Sequence, residues 1–555
     1  MDFKQKAEEK KMSMSKNIAR LAVTAGLTAA LSFGGVMAPV TMAFAADGDD
    51  SITITQNVNN GATKFKAYQI FKADVVNEGE QKIVSNVEWA SAEAEKAVLG
   101  VLTADATTGI TDGATAQEVA DYLSTIPVSS TAVVGKDNLL NKIALAVEKN
   151  VPATGEAFDA GTPFTATSKG YYLFLTDAAS IGTKDNYAEK KQTGTSPIFA
   201  VVGGKAVTVT EKTDIPTVEK KIKDDKTDSV WADKADSQMN QTVNYQLTGT
   251  VAKNVDTFDT YYYQFHDELS AGLTADKTSV EVAVDGTKIA ADKYVVAYDQ
   301  TNGKNLLTVT FDNLKNSGAT IKPNSKVVVT YTARLDPKKV DNVVVGGQGN
   351  SNSVKLVYSN NPGHDSKGES VPDTVRDYTY ALKLVKEDSA DAKKLAGVKF
   401  TIQATGADEG ASTKYVQQDG SLGVNPWDFE TNSNGEISIK GLDAGTYTVK
   451  ETHTLDGYNT LPEFTFTITA TGLDQNEGAN TLQVTTSKNG SDLVANPSFA
   501  NGTVTLTVKN KKGSGLPLTG LNGVTFTWIA GGAVLCIGVA HLIRSRKQAE
   551  ESKQE

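Results

Sequence analysis

Apolar and β-branched residues alternate with polar ones in short runs along most of this chain. A period of two admits little besides half-buried β-strands. Val207-Thr208-Val209-Thr210, Lys326-Val327-Val328-Val329-Thr330-Tyr331, Phe464-Thr465-Phe466-Thr467-Ile468 and Thr503-Val504-Thr505-Leu506-Thr507-Val508 all carry the pattern, and Asn-Gly, Asp-Gly and Gly-Thr pairs punctuate it as turns. The expected fold is mostly β, a tandem of immunoglobulin-like β-sandwich domains. Helices are expected only at about residues 115–122 and 137–149. Two proline-bearing joints, Asp214-Ile215-Pro216 and Val371-Pro372-Asp373, hold the residue before each proline extended. They divide the chain into expected domains at about residues 46–212, 213–373 and 374–512.

The two ends carry signals of export and attachment. Lys4, Lys6, Lys10, Lys11, Lys16 and Arg20 precede an apolar region over about residues 21–45. Ala43-Phe44-Ala45 offers small residues where a signal peptidase reads, so residues 1–45 are expected to be a signal peptide. At the other end, Leu516-Pro517-Leu518-Thr519-Gly520 is followed by an apolar stretch over about residues 524–543 and then by Arg544, Arg546 and Lys547. About twenty apolar residues cross a bilayer as a helix, and trailing cations resist being pulled through it. Recognition peptide, span and basic stop in this order resemble the cell-wall sorting signal (LPXTG) of Gram-positive surface proteins. The resemblance implies that a sortase reads Leu516 and Pro517, cleaves between Thr519 and Gly520, and joins the Thr519 carbonyl to an amine. Residues 513–520 are then linker and sorting motif, and residues 521–555 a transmembrane segment with a basic tail.

The sole cysteine, Cys536, lies inside that expected span, so the exported portion must be held by something other than disulfides. A net charge of −11 offers no basic surface for nucleic acid, and four scattered histidines without clustered cysteines make no zinc pattern. No cofactor or metal is expected. No Ser-His-Asp set or paired-carboxylate cleft stands out, which leaves an extracellular enzyme as the poorest of the functional classes.

In Val218-Glu219-Lys220-Lys221-Ile222, period two places Lys220 on the face of Val218 and Ile222 and turns Lys221 to water. Tyr261, Tyr263, Phe265 and Asp267 share a face by the same parity, as do Leu356, Tyr358 and Asn360. Each strand thus offers a polar residue where the pattern asks for an apolar one. A buried lysine is a neutral, nucleophilic amine, and a buried protonated carboxyl can polarise an Asn carbonyl for attack. Loss of ammonia leaves a Lys–Asn isopeptide bond, formed once and without a cofactor. The alternative is an outward lysine and an aspartate that caps a turn.

The segments Pro216-Thr217-Val218-Glu219-Lys220-Lys221, Phe265-His266-Asp267-Glu268-Leu269-Ser270-Ala271-Gly272-Leu273 and Tyr358-Ser359-Asn360-Asn361-Pro362 resemble the middle, CnaA-like domain of major shaft pilins of Gram-positive sortase-assembled pili. That resemblance implies Lys220 as nucleophile, with Lys221 as its rival, Asp267 as catalytic acid and Asn360 as acceptor. Farther on, Leu382-Lys383-Leu384-Val385-Lys386-Glu387-Asp388, Gly445-Thr446-Tyr447-Thr448-Val449-Lys450-Glu451-Thr452 and Val508-Lys509-Asn510 resemble the opening strand, E-box and closing strand of CnaB-like domains. The implied set is Lys383, Glu451 and Asn510, with Lys386 as the competing amine.

The first domain, with Thr63-Lys64-Phe65-Lys66 and Gly170-Tyr171-Tyr172-Leu173-Phe174, looks like the N-terminal domain of shaft pilins, but no closing-strand Asn marks an isopeptide bond. Lys64 and Lys66 read more simply as solvated strand lysines. In the resembling family a lysine after the last strand of this domain, in a Tyr-Pro-Lys context, attacks the sortase-bound threonine of the next subunit. Lys212 holds that position here, although Thr210 and Glu211 replace the aromatic residue and proline, and Lys205 is its rival. The expected function is a structural shaft subunit, polymerised through Thr519 and Lys212 into a head-to-tail fibre with an adhesion or colonisation role. Its implied partners are a class C-type pilus sortase, the housekeeping sortase and peptidoglycan, identical subunits, minor pilins, and host or bacterial receptors. The competing class is a monomeric wall-anchored adhesin of the collagen-binding type.

Overall fold

The computed structural model describes residues 50–513 apart from 79–80, 127–133, 226–228, 406–413 and 474–481. The expected signal peptide, the sorting motif with Leu516, Pro517, Thr519 and Gly520, and the expected span lie outside the described residues. Among the described residues no helix is long and apolar enough to cross a membrane.

The chain is mostly strand, and its alternating runs become sheets in three successive layered units. In the first, Ser51–Thr55, Pro163–Thr165 and Val207–Thr210 form a small sheet over a five-stranded one that includes Lys64–Glu78, Gly170–Thr176 and Ile198–Val202. Ile52, Ile54, Phe65, Tyr172 and Phe174 fill the space between them. Helices Ala92–Leu102, Ala116–Ser124 and Leu139–Asn150 pack Val98, Leu102, Ile143 and Val147 on the other side. The helix Ala92–Leu102 is an addition to the two expected ones. Its start is signalled locally, since Ser91 Oγ accepts from the Ala94 amide at 3.1 Å and Glu93 and Glu95 suit the positive end of the helix dipole.

The middle unit packs a six-stranded sheet, with Val218–Lys223, Val243–Thr250, Leu273–Val284 and Lys326–Leu335, on a seven-stranded one. The second sheet runs through Tyr263–Leu269, Leu306–Phe311, Asn350–Ser359 and Asp373–Tyr378. A single core of aromatic and aliphatic side chains joins them, from Ile222 to Val375. The strand Asp373–Tyr378 still pairs within this sheet, so the division from the next unit falls after it, beyond residue 373. The last unit sets a four-stranded sheet, ordered Glu436–Leu442, Tyr380–Asp388, Thr503–Asn510 and Ser498–Ala500, against a seven-stranded one. Its opening and closing strands, Tyr380–Asp388 and Thr503–Asn510, lie side by side and parallel.

Candidate functional sites: two buried lysine–carboxyl–asparagine sets

Lys220 sits mid-strand on the inward face of Val218–Lys223, opposite Leu247, and is fully buried. Its Nζ donates to Asp267 Oδ1 at 2.5 Å and to Tyr331 Oη at 3.2 Å. Tyr331 Oη in turn donates to Asp267 Oδ2 at 2.6 Å. The rings of Tyr245 and Tyr331 flank the amine at 5.5 and 5.4 Å. Burial pulls the lysine pKa down to about 8, against the opposing pull of the Asp267 carboxyl. The amine is thus held at the carboxyl with its neutral form within easy reach. Lys221, one residue on, points away and pairs with Asp233 at 2.7 Å.

The structure does not bring Asn360 to this amine, and the acceptor expected from the resemblance is corrected accordingly. Asn360 has the right parity, but the strand ends at Ser359 and the chain turns toward the first unit. There its Nδ2 donates to the Gln192 carbonyl at 3.0 Å and its Oδ1 accepts from Ser366 Oγ at 2.7 Å. The asparagine that shares Tyr331 Oη with the lysine is Asn352, of the same parity near the start of that strand. Cross-strand register places Val354 opposite Asp267 and Asn352 opposite Leu269, so Asn352 is the next inward neighbour of the carboxyl. It is fully buried, and its Nδ2 donates to Tyr331 Oη at 2.6 Å. Its Oδ1 is buried and has no hydrogen-bond partner among the described residues. The signal was present in the sequence as Asn352, Val354, Leu356 and Tyr358 on one parity, with the polar residue at the beginning of the stripe.

In the last unit the amine is that of Lys386, and Lys383 is corrected. Leu382, Leu384 and Lys386 share the inward face, whereas Lys383 points outward, partly exposed, and pairs with Glu436 at 2.9 Å. Lys386 Nζ donates to Glu451 Oε2 at 2.8 Å and also to Asn510 Oδ1. Asn510 Nδ2 donates to Glu451 Oε1 at 2.8 Å and to Thr454 Oγ1 at 2.8 Å. The Glu451 carboxyl therefore spans the amine and the amide. Lys386, Glu451 and Asn510 are all buried, and burial lowers the Lys386 pKa while Glu451 opposes the shift. The Phe400 ring lies 5.2 Å from the amine.

The first unit presents its lysines differently. Lys64 and Lys66 pair with Asp159 and Asp177, each at 2.9 Å, on partly exposed surface. A buried amine that periodicity did not reveal is Lys82, which donates to the carbonyls of Gly203 at 2.5 Å and Lys205 at 2.8 Å. Burial takes its pKa to about 8. Lys212 follows the strand Val207–Thr210 at the joint to the middle unit. Its amide donates to Thr195 Oγ1 at 2.8 Å and its carbonyl accepts from the Ser196 amide at 2.9 Å, which fixes the backbone, while partial burial lowers the side-chain pKa. Glu211 turns inward, where its Oε1 accepts from the Asn57 amide at 2.9 Å and from Asn60 Nδ2 at 2.8 Å. Lys205 lies before the strand and gives its carbonyl to Lys82. Among the described residues no cluster of three or more His, Cys, Asp or Glu side chains could hold a metal ion.

Residues 380–496 match the family model of the SpaA prealbumin-like fold domain. Comparison with curated protein sequences gives no match. Among solved structures, the T6 backbone pilin of serotype M6 Streptococcus pyogenes, described as a modular three-domain structure, aligns with a TM-score of 0.50 at 17% identity, covering 85% of this chain and all (100%) of that one. The full-length major pilin SpaD from Corynebacterium diphtheriae aligns with a TM-score of 0.45 at 17% identity, over 83% of this chain and 97% of its own. At these identities the likeness to the T6 pilin establishes a shared fold.

Proposed function

We propose that this chain is the shaft subunit of a covalent, sortase-assembled pilus on a Gram-positive surface, stiffened by two internal isopeptide bonds. The observation that carries the reading is the pair of buried sets, Lys220–Asp267–Asn352 and Lys386–Glu451–Asn510, in successive sandwiches of a chain with no exported cysteine. Desolvation keeps each amine within reach of its neutral form, and holding amine and amide together, directly for Lys386 and Asn510 and across Tyr331 Oη for Lys220 and Asn352, replaces the entropy of bringing them together, worth on the order of 7 to 11 kcal/mol at best. The Nζ–Cγ bond forms, ammonia leaves, and each protein makes each bond once. In this reading the chain is no enzyme toward other molecules.

Polymerisation would use the other two groups. Leu516, Pro517, Thr519 and Gly520 form the peptide that a class C-type pilus sortase cleaves, and the Lys212 amine of the next subunit receives the Thr519 carbonyl. The apolar stretch over about residues 524–543, with its basic tail, holds the precursor in the membrane until transfer, and the housekeeping sortase ends growth by attaching the base to peptidoglycan. Joining Thr519 of one copy to Lys212 of the next is a heterologous contact that does not close, so it yields a fibre. Adhesion would follow from display of that fibre, with minor pilins and surface receptors as further partners.

The test is a wall extract from a strain competent for pilus assembly. The parent should give a ladder of covalent multimers, and Lys212→Ala should still reach the wall yet run as a monomer after wall digestion. A parent found only as a wall-linked monomer would replace this reading with a monomeric adhesin; a ladder that persists in Lys212→Ala would move the linkage to Lys205.

A further inference from the structure

The two sets differ in one feature that their shared chemistry does not require. Glu451 touches amine and amide directly, one oxygen on each. Asp267 is a methylene shorter, and the Tyr331 hydroxyl stands between it and Asn352. We propose that Tyr331 is a catalytic residue of the middle-domain bond, the group that hands a proton to the departing nitrogen of Asn352. The proposal rests on the isopeptide reading above and adds a reacting group to it.

The proton account closes on the distances. As Lys220 Nζ attacks Asn352 Cγ, the Nζ–Cγ bond forms, the Cγ–Nδ2 bond breaks, and one proton must pass from Nζ to Nδ2 so that ammonia can leave. Nζ lies 2.5 Å from Asp267 Oδ1, Asp267 Oδ2 lies 2.6 Å from Tyr331 Oη, and Tyr331 Oη lies 2.6 Å from Asn352 Nδ2. Nδ2 donates to the phenol while the amide is planar; once attack makes Cγ tetrahedral, Nδ2 gains a basic lone pair and that hydrogen bond reverses, so the phenol gives its proton to Nδ2 and regains one from Asp267, which takes one from Nζ. Both relay groups end in the protonation states in which they began, and no oxidant or other reactant is consumed. The ring is positioned for this by the core, buried and stacked on Tyr245 with centroids 5.3 Å apart and planes 13° apart. Tyr245 supplies an internal comparison, because its hydroxyl is equally buried but has no hydrogen-bond partner among the described residues.

The experiment follows ammonia loss by intact mass after a pulse of cell-free synthesis of residues 46–513, for the parent, Tyr331→Phe and Tyr245→Phe. In Tyr331→Phe the middle-domain loss of about 17 Da should slow roughly 100-fold, the scale of a missing general acid, while the last-domain loss keeps its rate and reports a folded chain. Tyr245→Phe should match the parent. Equal rates in Tyr331→Phe and the parent would overturn the proposal. A parent that never loses ammonia from the middle domain would instead overturn the isopeptide reading itself. Should Tyr331→Phe not fold, 3,5-difluorotyrosine placed at position 331 keeps the shape and acidifies the phenol; a changed rate of loss supports the relay and an unchanged rate overturns it.

Discussion

At the scale of single residues, parity separates a buried amine from a solvated one. Lys383 and Lys386 lie on the same strand, yet one faces Glu436 at the surface and the other faces Glu451 and Asn510 in the core. Lys386→Ala should therefore abolish the last-domain loss of about 17 Da that the amide-forming reaction produces, and Lys383→Ala should leave it intact; intact-mass measurement of the two variants decides between them. Lys82 offers a different residue-scale test. Its amine titrates near 8 in the folded chain and near its ordinary value of 10.5 when unfolded, so between those values the unfolded state binds more protons. Its contribution to stability accordingly rises with pH through that window. Urea melts at pH 7.5, 9 and 10.5 should show this rise in the parent and its loss in Lys82→Met. The variant should also be weaker by about 1 to 3 kcal/mol for the carbonyls of Gly203 and Lys205 left without a donor. An unchanged pH slope in Lys82→Met would remove Lys82 as its source.

At the scale of elements, each proposed bond fastens strands far apart in sequence. Lys386 to Asn510 joins the parallel opening and closing strands of the last unit. Closing so long a loop should add about 4 to 5 kcal/mol by restricting the unfolded chain. Glu451→Ala should thus lower the denaturant midpoint of the last unit and expose it to trypsin; equal midpoints would mean that no bond had formed in the parent. The strands themselves were legible because alternation states their two faces, and it placed Lys220 and Asp267 on the inner face, whereas Glu451 and Asn510 came from the resemblance to the E-box and closing strand. Asn352 and Asn360 share a parity, so periodicity could not rank them; what separates them is where the strand stops and the chain turns to meet Gln192. In the last unit the resemblance to an opening motif pointed to Lys383, with Lys386 as the competing amine; in the fold Lys386 shares the inward face with Leu382 and Leu384. Tyr331 reads in sequence as one more core aromatic, since only the approach of a second sheet brings its hydroxyl to the carboxyl.

At the scale of the whole molecule, neighbouring units are fastened by polar groups as well as by the chain. Thr193 Oγ1 and Tyr358 Oη lie 3.1 Å apart between the first and middle units, and Lys136 donates its amide to the Asp256 carbonyl at 2.7 Å. Between the middle and last units, Met239 donates its amide to the Gly441 carbonyl at 2.8 Å, and Gly346 and Gly502 pass so close that a Cβ on Gly346 would stand 2.3 Å from Gly502 Cα. Asp377 and Asp443 are buried at this second junction, beside Asp236, and burial together with that neighbouring charge raises both well above the usual carboxylate range. A raised folded pKa means that the folded state binds more protons, so their contribution weakens as pH rises from the ordinary value of 3.8 through the raised one. Asp443→Asn, which cannot ionise, should gain melting temperature relative to the parent from pH 4 to pH 7. A gap independent of pH would remove Asp443 from that account.

The account turns on two covalent bonds made from buried polar sets, and one mass spectrum addresses them most directly. The purified ectodomain should weigh about 34 Da less than its sequence encodes, one ammonia for each amide formed. Its digest should contain two branched peptides, one joining Lys220 to Asn352 and the other Lys386 to Asn510. A protein at its full encoded mass, with Lys220 and Lys386 recovered in linear peptides, would contradict the account.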